Sequence, residues 1–128
     1  MRNLALLLFC CLLLTACGTG TKSNSGSHDA HAAHKPTLDV ALDVQGNQVT
    51  VTVNTDMAIS PEHYGMARKA GEGHIHMYLD DQNKISVKEN QHIFTDLAAG
   101  KHSLKVSLHN NDHTPYDVTN TYEFEVQT

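Results

Sequence analysis

Two histidines flank a single isoleucine in residues 73–79, which read GHIHMYL. If this segment is a β-strand, side chains two residues apart share a face, with Cα atoms about 6.5–7 Å apart. His74 and His76 could then bind one transition-metal ion, provided that a third ligand comes from another strand or loop. The alternative interpretation is that both histidines are polar residues on a solvent-facing side of the strand.

Candidates for the third ligand lie in two other segments. His113 falls in the loop sequence NNDHTPY, and His109 ends the strand-like segment before it. His63 and Met66 lie in residues 55–73, a glycine-containing stretch without strand alternation. Imidazole suits Cu(II) and Zn(II), whereas a methionine would favour Cu(I). The pattern predicts a site for copper first and zinc second, with His113 the main third ligand and His109 and Met66 weaker candidates.

The composition argues against a nucleic-acid partner. The formal net charge is −5, and the 128 residues contain no tryptophan. Such a chain offers neither a basic stripe for phosphates nor a platform on which bases could stack. The unusual residue is histidine, of which there are ten, all after residue 27.

The first residues have the features of a bacterial export signal. Arg2 precedes an apolar run at residues 4–14, which is short for a permanent membrane span and typical of a signal-peptide core. The run ends in the sequence LTAC, which resembles the lipobox of bacterial lipoproteins. That resemblance implies cleavage after residue 16 and attachment of lipid, including palmitate, to Cys17. It also implies a location at the extracytoplasmic face of the cell membrane or the outer membrane.

Cysteine use narrows the possible chemistry of the exported part. Cys10 and Cys11 would leave with the signal peptide, and Cys17 would carry lipid. The remaining chain then has no thiol for a disulfide, a nucleophile or a metal site. It also shows no serine nucleophile motif and no phosphate-binding glycine loop. We therefore expect a protein that is not an enzyme.

Residues 17–36 predict a flexible, lipid-anchored tether. They are rich in Gly, Ser and Thr and almost free of large apolar side chains, so they cannot bury enough surface to fold. Within the tether, HDAHAAH spaces His28, His31 and His34 three residues apart. Such a tract can gather copper or zinc loosely, or it can be a solvated linker whose histidines bind nothing.

Residues 37–128 predict an all-β domain. Apolar and polar residues alternate in several short runs separated by turn signals, and Ser60 followed by Pro61 could begin one short helix inside the long loop. About seven strands in this length favour an antiparallel, immunoglobulin-like sandwich, with a small barrel as the alternative. The predicted strands are residues 38–44, 49–54, 74–79, 84–87, 92–95, 102–109 and 122–126.

Three runs, GEGHIHMYLDD, FTDLAAGKHSLKVSLHNNDHTPYD and EFEV, resemble a group of bacterial extracytoplasmic domains found on exported lipoproteins, whose function is unassigned. The group's histidine pattern matches His74, His76, His102 and His113, which adds His102 to the candidate ligands. A looser resemblance links the domain to immunoglobulin-like periplasmic copper carriers, although this chain lacks their methionine-rich loop.

Two functional hypotheses follow. The first is a membrane-anchored protein that binds or delivers copper or zinc through histidines. The second is a metal-free, immunoglobulin-like interaction or structural module that docks another protein of the cell envelope. The two differ in whether the imidazoles converge on one point.

Overall fold

The computed structural model describes residues 34–127. The predicted signal peptide, Cys17, His28 and His31 lie outside the described residues. The described residues fall within one compact unit, and they contain no helix long and apolar enough to cross a membrane.

The described chain forms eight strands and one short 3₁₀ turn, Pro61–His63. The strands are β1 (Asp39–Gln45), β2 (Gln48–Asn54), β3 (Ala58–Ile59), β4 (Glu72–Leu79), β5 (Ile85–Val87), β6 (Gln91–Phe94), β7 (Gly100–Asn110) and β8 (Pro115–Val126).

Two sheets face each other. One sheet has the order β1-β2-β6, and the other has the order β3-β4-β7-β8, with β5 paired to β4. Every pairing is antiparallel except the two-residue contact between β3 and β4. This confirms the prediction of an immunoglobulin-like sandwich rather than a closed barrel, and the very short β3 is the strand that alternation did not indicate.

The core lies between the sheets and follows the alternation in the sequence. Three β2 valines meet alternate residues of β4 and β7, each set on one face of its strand because the side-chain period of a strand is two. Burying each such side chain contributes about 1.5–3 kcal/mol. The most deeply buried members are Val49, Val51, Ile75, Met77, Leu104, Val106 and Leu108.

Two local expectations need correction. The last strand begins at Pro115, seven residues before the predicted start at Tyr122, because proline is tolerated as the first residue of a strand. The helical segment is a single 3₁₀ turn with Pro61 first, and the Ser60 side chain does not cap it. The Ser60 hydroxyl instead donates a hydrogen bond to the Glu72 carboxylate, 2.9 Å away.

Candidate metal centre

Strand β4 is buried on both of its faces. Ile75 and Met77 point into the core, whereas His74 and His76 point to the outer face of the larger sheet, as the alternation predicted. Yet only 1% of His74 and 3% of His76 is exposed. The alternative of a solvent-facing histidine pair is therefore wrong, because another part of the chain covers this face.

The strands on either side of β4 add small and imidazole side chains to the same face. In the register with β7, His74 pairs with His109 and His76 pairs with Ser107. On the other side, His76 pairs with Ser86 of β5. Directly paired residues share a face, so the two histidines stand in the middle of a three-strand surface.

Gly73 allows β4 and β7 to approach each other where this surface begins. A Cβ atom at this position would overlap the backbone carbonyl oxygen of His109 and would lie 2.9 Å from the Met57 sulfur. No side chain larger than hydrogen fits there, so the glycine beside His74 sets the strand spacing at the site.

The cover comes from the segment between β3 and β4 and from the turn after β7. The Tyr64 ring packs edge-on against both His74 and His113, with ring centroids 4.7 Å from each. The Gly65 amide donates a hydrogen bond to the Asn111 carbonyl oxygen, 2.8 Å away, and this bond ties the segment to the turn that carries His113.

A second set of bonds fixes this covering segment at its other end. The Glu72 carboxylate accepts hydrogen bonds from Ser60 and from His63 Nδ1, 2.9 and 2.7 Å away, and pairs with Lys69 Nζ at 2.5 Å. The Tyr116 hydroxyl donates to the Glu72 carbonyl oxygen, 2.8 Å away. The lysine, followed by the other donors, lowers the pKa of Glu72 to about 2. His63 therefore braces the cover through Glu72.

Three imidazoles converge beneath this cover. His74 Nε2 lies 2.9 Å from His76 Nε2, and His113 Nδ1 lies 3.1 Å from His74 Nε2. One ligand atom from each residue lies within 4.8 Å of the other two. With metal–nitrogen bonds of about 2.0–2.1 Å, the two short separations correspond to angles of about 90–100° at a shared ion. The three residues could therefore hold one metal ion.

Hydrogen bonds alone do not satisfy these nitrogens. His74 Nε2 faces two other ring nitrogens but has either one lone pair or one hydrogen to offer, so one of its two contacts is always unpaired. The Nδ1 atoms of His74 and His76 are buried and have no partner in the described chain. Each unpaired buried N–H destabilises the fold by about 1–3 kcal/mol. A cation shared by three lone pairs would remove the conflict at the Nε2 atoms.

The surroundings keep the buried pair in the form that binds metal. Burial lowers the pKa of His74 to about 4 and that of His76 to about 3, and the neighbouring imidazoles and Lys84 add to the effect. Burial also lowers the pKa of His109. Near neutral pH these rings are uncharged, so protons do not compete for their lone pairs.

His109 lies beside the three imidazoles with both of its nitrogens in use. Its ring stacks on His76 with centroids 3.7 Å apart. Its Nδ1 lies 3.0 Å from the His113 carbonyl oxygen, which can only accept, so Nδ1 carries the hydrogen and donates it. Its Nε2 then accepts a hydrogen bond from the Ser107 hydroxyl, whose oxygen also lies 3.0 Å away. His109 thus supports the backbone of His113, a role that the sequence did not reveal.

His102 lies well away from this cluster. It is seven residues before His109 on β7, about 23 Å along the strand. Its Nδ1 contacts the Asp80 carboxylate at 2.7 Å and its Nε2 contacts the Ala98 carbonyl oxygen at 2.8 Å. The carbonyl, followed by the carboxylate, raises the pKa of His102. Its ring stacks on Phe124, so it braces a turn at the opposite end of the sheet.

Two weaker candidates are also outside the cluster. Met66 is 57% exposed on the covering segment. His34 Nε2 contacts the Asp56 carboxylate at 2.8 Å. The structure therefore brings together His74, His76 and His113, with His109 adjacent.

Sequence reasoning missed two side chains near the site. Tyr64 lies in the stretch without alternation, and no sequence signal marks it. Lys88 lies over the Tyr64 ring, with its Nζ 3.8 Å from the centroid. The lysine could have been found, since it continues an alternation with Ser86 on the strand beside His76.

Comparison with known proteins supports the fold. No protein-family model and no curated protein matches the chain. Among solved structures, the chain is similar to the PKD1 domain of Vibrio anguillarum Epp, with 12% identity and a TM-score of 0.51, over 74% of this chain and 96% of that one. It is also similar to the PKD1 domain of the Vibrio cholerae metalloprotease PrtV, with 13% identity and a TM-score of 0.50, over 74% and 100% of the two chains. These likenesses define an immunoglobulin-like sandwich.

Proposed function

We propose that this domain binds a transition-metal ion, copper first and zinc second, through His74, His76 and His113. The observation that carries the proposal is the convergence of three ring nitrogens, two of them on deeply buried rings. A pair of histidines on one strand does not by itself indicate a metal site. Here the pair is buried, a third imidazole from a loop meets it, and polar ring atoms are left unsatisfied. Buried polar atoms without partners call for an explanation, and a bound ion supplies one.

Two features favour copper over zinc. The two angles that involve His74 would be about 90–100°, which suits the tetragonal geometry of Cu(II) better than the tetrahedral geometry of Zn(II). Copper also binds a given set of nitrogen ligands more tightly than zinc does. Zinc remains the second choice because it accepts three histidines with an open fourth position.

The surroundings favour transfer of the ion over permanent storage. Metal-binding histidines usually donate their second N–H to an oxygen, and loss of that partner weakens binding by about 10–100-fold. Within residues 34–127, neither His74 Nδ1 nor His76 Nδ1 has such a partner. We therefore propose a site that holds its ion firmly enough to be specific and releases it to an acceptor.

The remaining parts of the proposal rest on the sequence. Lipid on Cys17 would hold the protein at the extracytoplasmic face of a membrane. Residues 17–36 would give the domain reach, and His28, His31 and His34 would raise the local concentration of metal ions. The role is binding and delivery without catalysis, since the chain carries no recognisable nucleophile motif.

A calorimetric titration of residues 35–128 with Cu(II) and with Zn(II) tests the proposal. This segment contains every core residue and omits the tether histidines. We expect one ion per chain with a Kd below 1 μM, that is, about 8 kcal/mol of binding free energy or more. His113→Ala, which lies in a loop, should weaken binding by at least about tenfold, because one of the three ligands is gone.

His102→Ala is the matched control, since it also removes an imidazole but lies at the other end of β7. It should leave the stoichiometry and the Kd unchanged. A Kd of about 1 mM or weaker, or an equal loss of metal affinity in the His113→Ala and His102→Ala variants, would overturn the metal hypothesis. The interaction module would then become the working function, in line with the immunoglobulin-like fold.

A further inference from the structure

The face that carries the proposed metal ligands is lined by lysines. Lys84 and Lys88 are placed immediately before and after β5, two residues on either side of Ser86. Because Ser86 pairs with His76, the same register places Lys84 beside Tyr78 and Lys88 beside His74. Alternate residues share a face, so both lysines border the histidine pair.

Side-chain contacts agree with this placement. Lys88 Nζ lies 3.8 Å from the Tyr64 ring centroid, and that ring lies 4.7 Å from the ring of His74. The ammonium is therefore no more than about 8.5 Å from the His74 ring. A third lysine, Lys105, is paired with Tyr78 and lies over its ring at 4.5 Å.

The nine positions around His76 carry no carboxylate, although Glu72, two residues before His74 on β4, lies on the same face beyond them. Three positions from each of three neighbouring strands make up the surface around His76, and they comprise three lysines, three histidines, two serines and one tyrosine. The nine residues are His74, His76, Tyr78, Lys84, Ser86, Lys88, Lys105, Ser107 and His109. The acidic groups nearest along the covering segment and the turn are already paired, Glu72 with Lys69 and Asp112 with Arg68.

This charge pattern is unfavourable for a bare dication. Histidine ligands are neutral, so a bound Cu(II) or Zn(II) would keep its full double charge while facing two or three ammonium groups. Like charges at such separations repel, and the repulsion is only partly screened at physiological salt. An anion on the metal reverses the sign of the interaction, because it reduces the charge of the complex and attracts the lysines.

We propose that the site binds its metal together with a small oxyanion, a carboxylate or a phosphate, at the coordination position that three histidines leave open. Lys84 and Lys88 attract the oxyanion, and the metal provides its direct ligand. The inference rests on the proposed metal function and deepens it: the ion that the protein carries is a metal–oxyanion pair. No bond to the protein is made or broken apart from coordination.

The test begins with Cu(II)-loaded residues 35–128 in a non-coordinating buffer at low ionic strength. Sodium acetate and, separately, inorganic phosphate are titrated in, and the visible absorption and electron paramagnetic resonance of Cu(II) report a change of ligand. We expect saturable spectral changes with at least one of the two anions. The anion that saturates at the lower concentration identifies the preferred class.

Charge variants then test the part played by the lysines. Lys84→Gln/Lys88→Gln should weaken anion binding by about threefold to tenfold at low salt. Lys84→Gln alone should give part of that loss, and it leaves the contact between Lys88 and Tyr64 in place. Lys101→Gln is the matched control, because Lys101 lies eight residues from His109 on the same strand, about 26 Å away, and it should have no effect.

The outcomes separate the two proposals. If the chain does not bind Cu(II), the metal function itself fails. If Cu(II) binds but neither anion changes its spectra, or if the Lys84 and Lys88 variants bind the anion as tightly as the Lys101 variant, the oxyanion inference is overturned and the metal function stands.

Discussion

Metal binding by this domain should tolerate acid far better than binding by ordinary histidines. The perturbation is a change from pH 7.0 to pH 5.5. In this range His74 and His76 stay unprotonated, since burial holds the pKa of His74 at about 4 and that of His76 at about 3. Neither ring has to lose a proton before it binds the ion, so neither contributes proton competition.

The magnitude follows from the fraction of each ring that is protonated. An imidazole with a pKa of 6.5 loses about eightfold in metal affinity between these two pH values, because almost all of it becomes protonated. Three such ligands lose about 600-fold together. With His74 and His76 protected by burial, the loss at this site should not exceed about tenfold.

The assay is competition for Cu(II) against a chromophoric chelator, corrected for the protonation of the chelator itself. Residues 35–128 carry the site, and a separate peptide of residues 28–34 provides three histidines in water as the comparison. The peptide should lose several hundredfold in affinity while the domain loses little. A loss of 100-fold or more in the domain would refute the reasoning, since it would mean that the buried rings titrate like exposed ones.

Four further predictions concern stability, measured by urea unfolding. Gly73→Ala should destabilise the fold by about 3 kcal/mol or more, because its Cβ overlaps the His109 carbonyl oxygen, and a loss below 1 kcal/mol would contradict that packing. His74→Leu/His76→Leu should leave the metal-free domain within about 1 kcal/mol of wild type at pH 7, since it removes buried polar atoms without partners. The wild type should also lose stability as the pH falls from 6.5 towards 4, because its lowered pKa values favour neutral rings in the fold, whereas the double variant should lose less; equal slopes would argue against the assignment. His102→Ala should have the opposite dependence, since hydrogen bonds to a backbone carbonyl and a carboxylate raise the pKa of this ring. Its stabilisation is complete below pH 6.5 and disappears as the pH rises through the raised pKa, so the variant should lose more at pH 6 than at pH 9.

The sequence predicted most of the sandwich because strand alternation is a local property. The period of two in residues 38–54 and 102–109 shows directly which side chains enter the core, and those strands formed where expected. The start of β8 was missed because proline commonly marks a turn, and only the pairing of Pro115 with His109 shows that a strand begins there.

The candidate site was predictable in part. Alternation placed His74 and His76 on one face, and the loop sequence identified His113 as a possible partner. In the sequence, His102 looked as suitable a ligand as His74, since both residues follow a glycine-containing turn. Its separation from the cluster depends on sheet register, which pairs it with Phe124 at the far end of β7. Register is a relation between distant residues, so no local pattern contains it.

By itself, therefore, the sequence determined the strand faces, the absence of a thiol after Cys17 and the kind of ligand that any metal must accept. Only the tertiary structure decided that the outer face of β4 is buried. That burial depends on Tyr64 and Gly65 meeting the turn that carries Asn111 and His113, some 46 residues later in the chain. The same contacts shift the histidine pKa values and bring the third nitrogen within reach, because desolvation and convergence both arise when remote segments pack together.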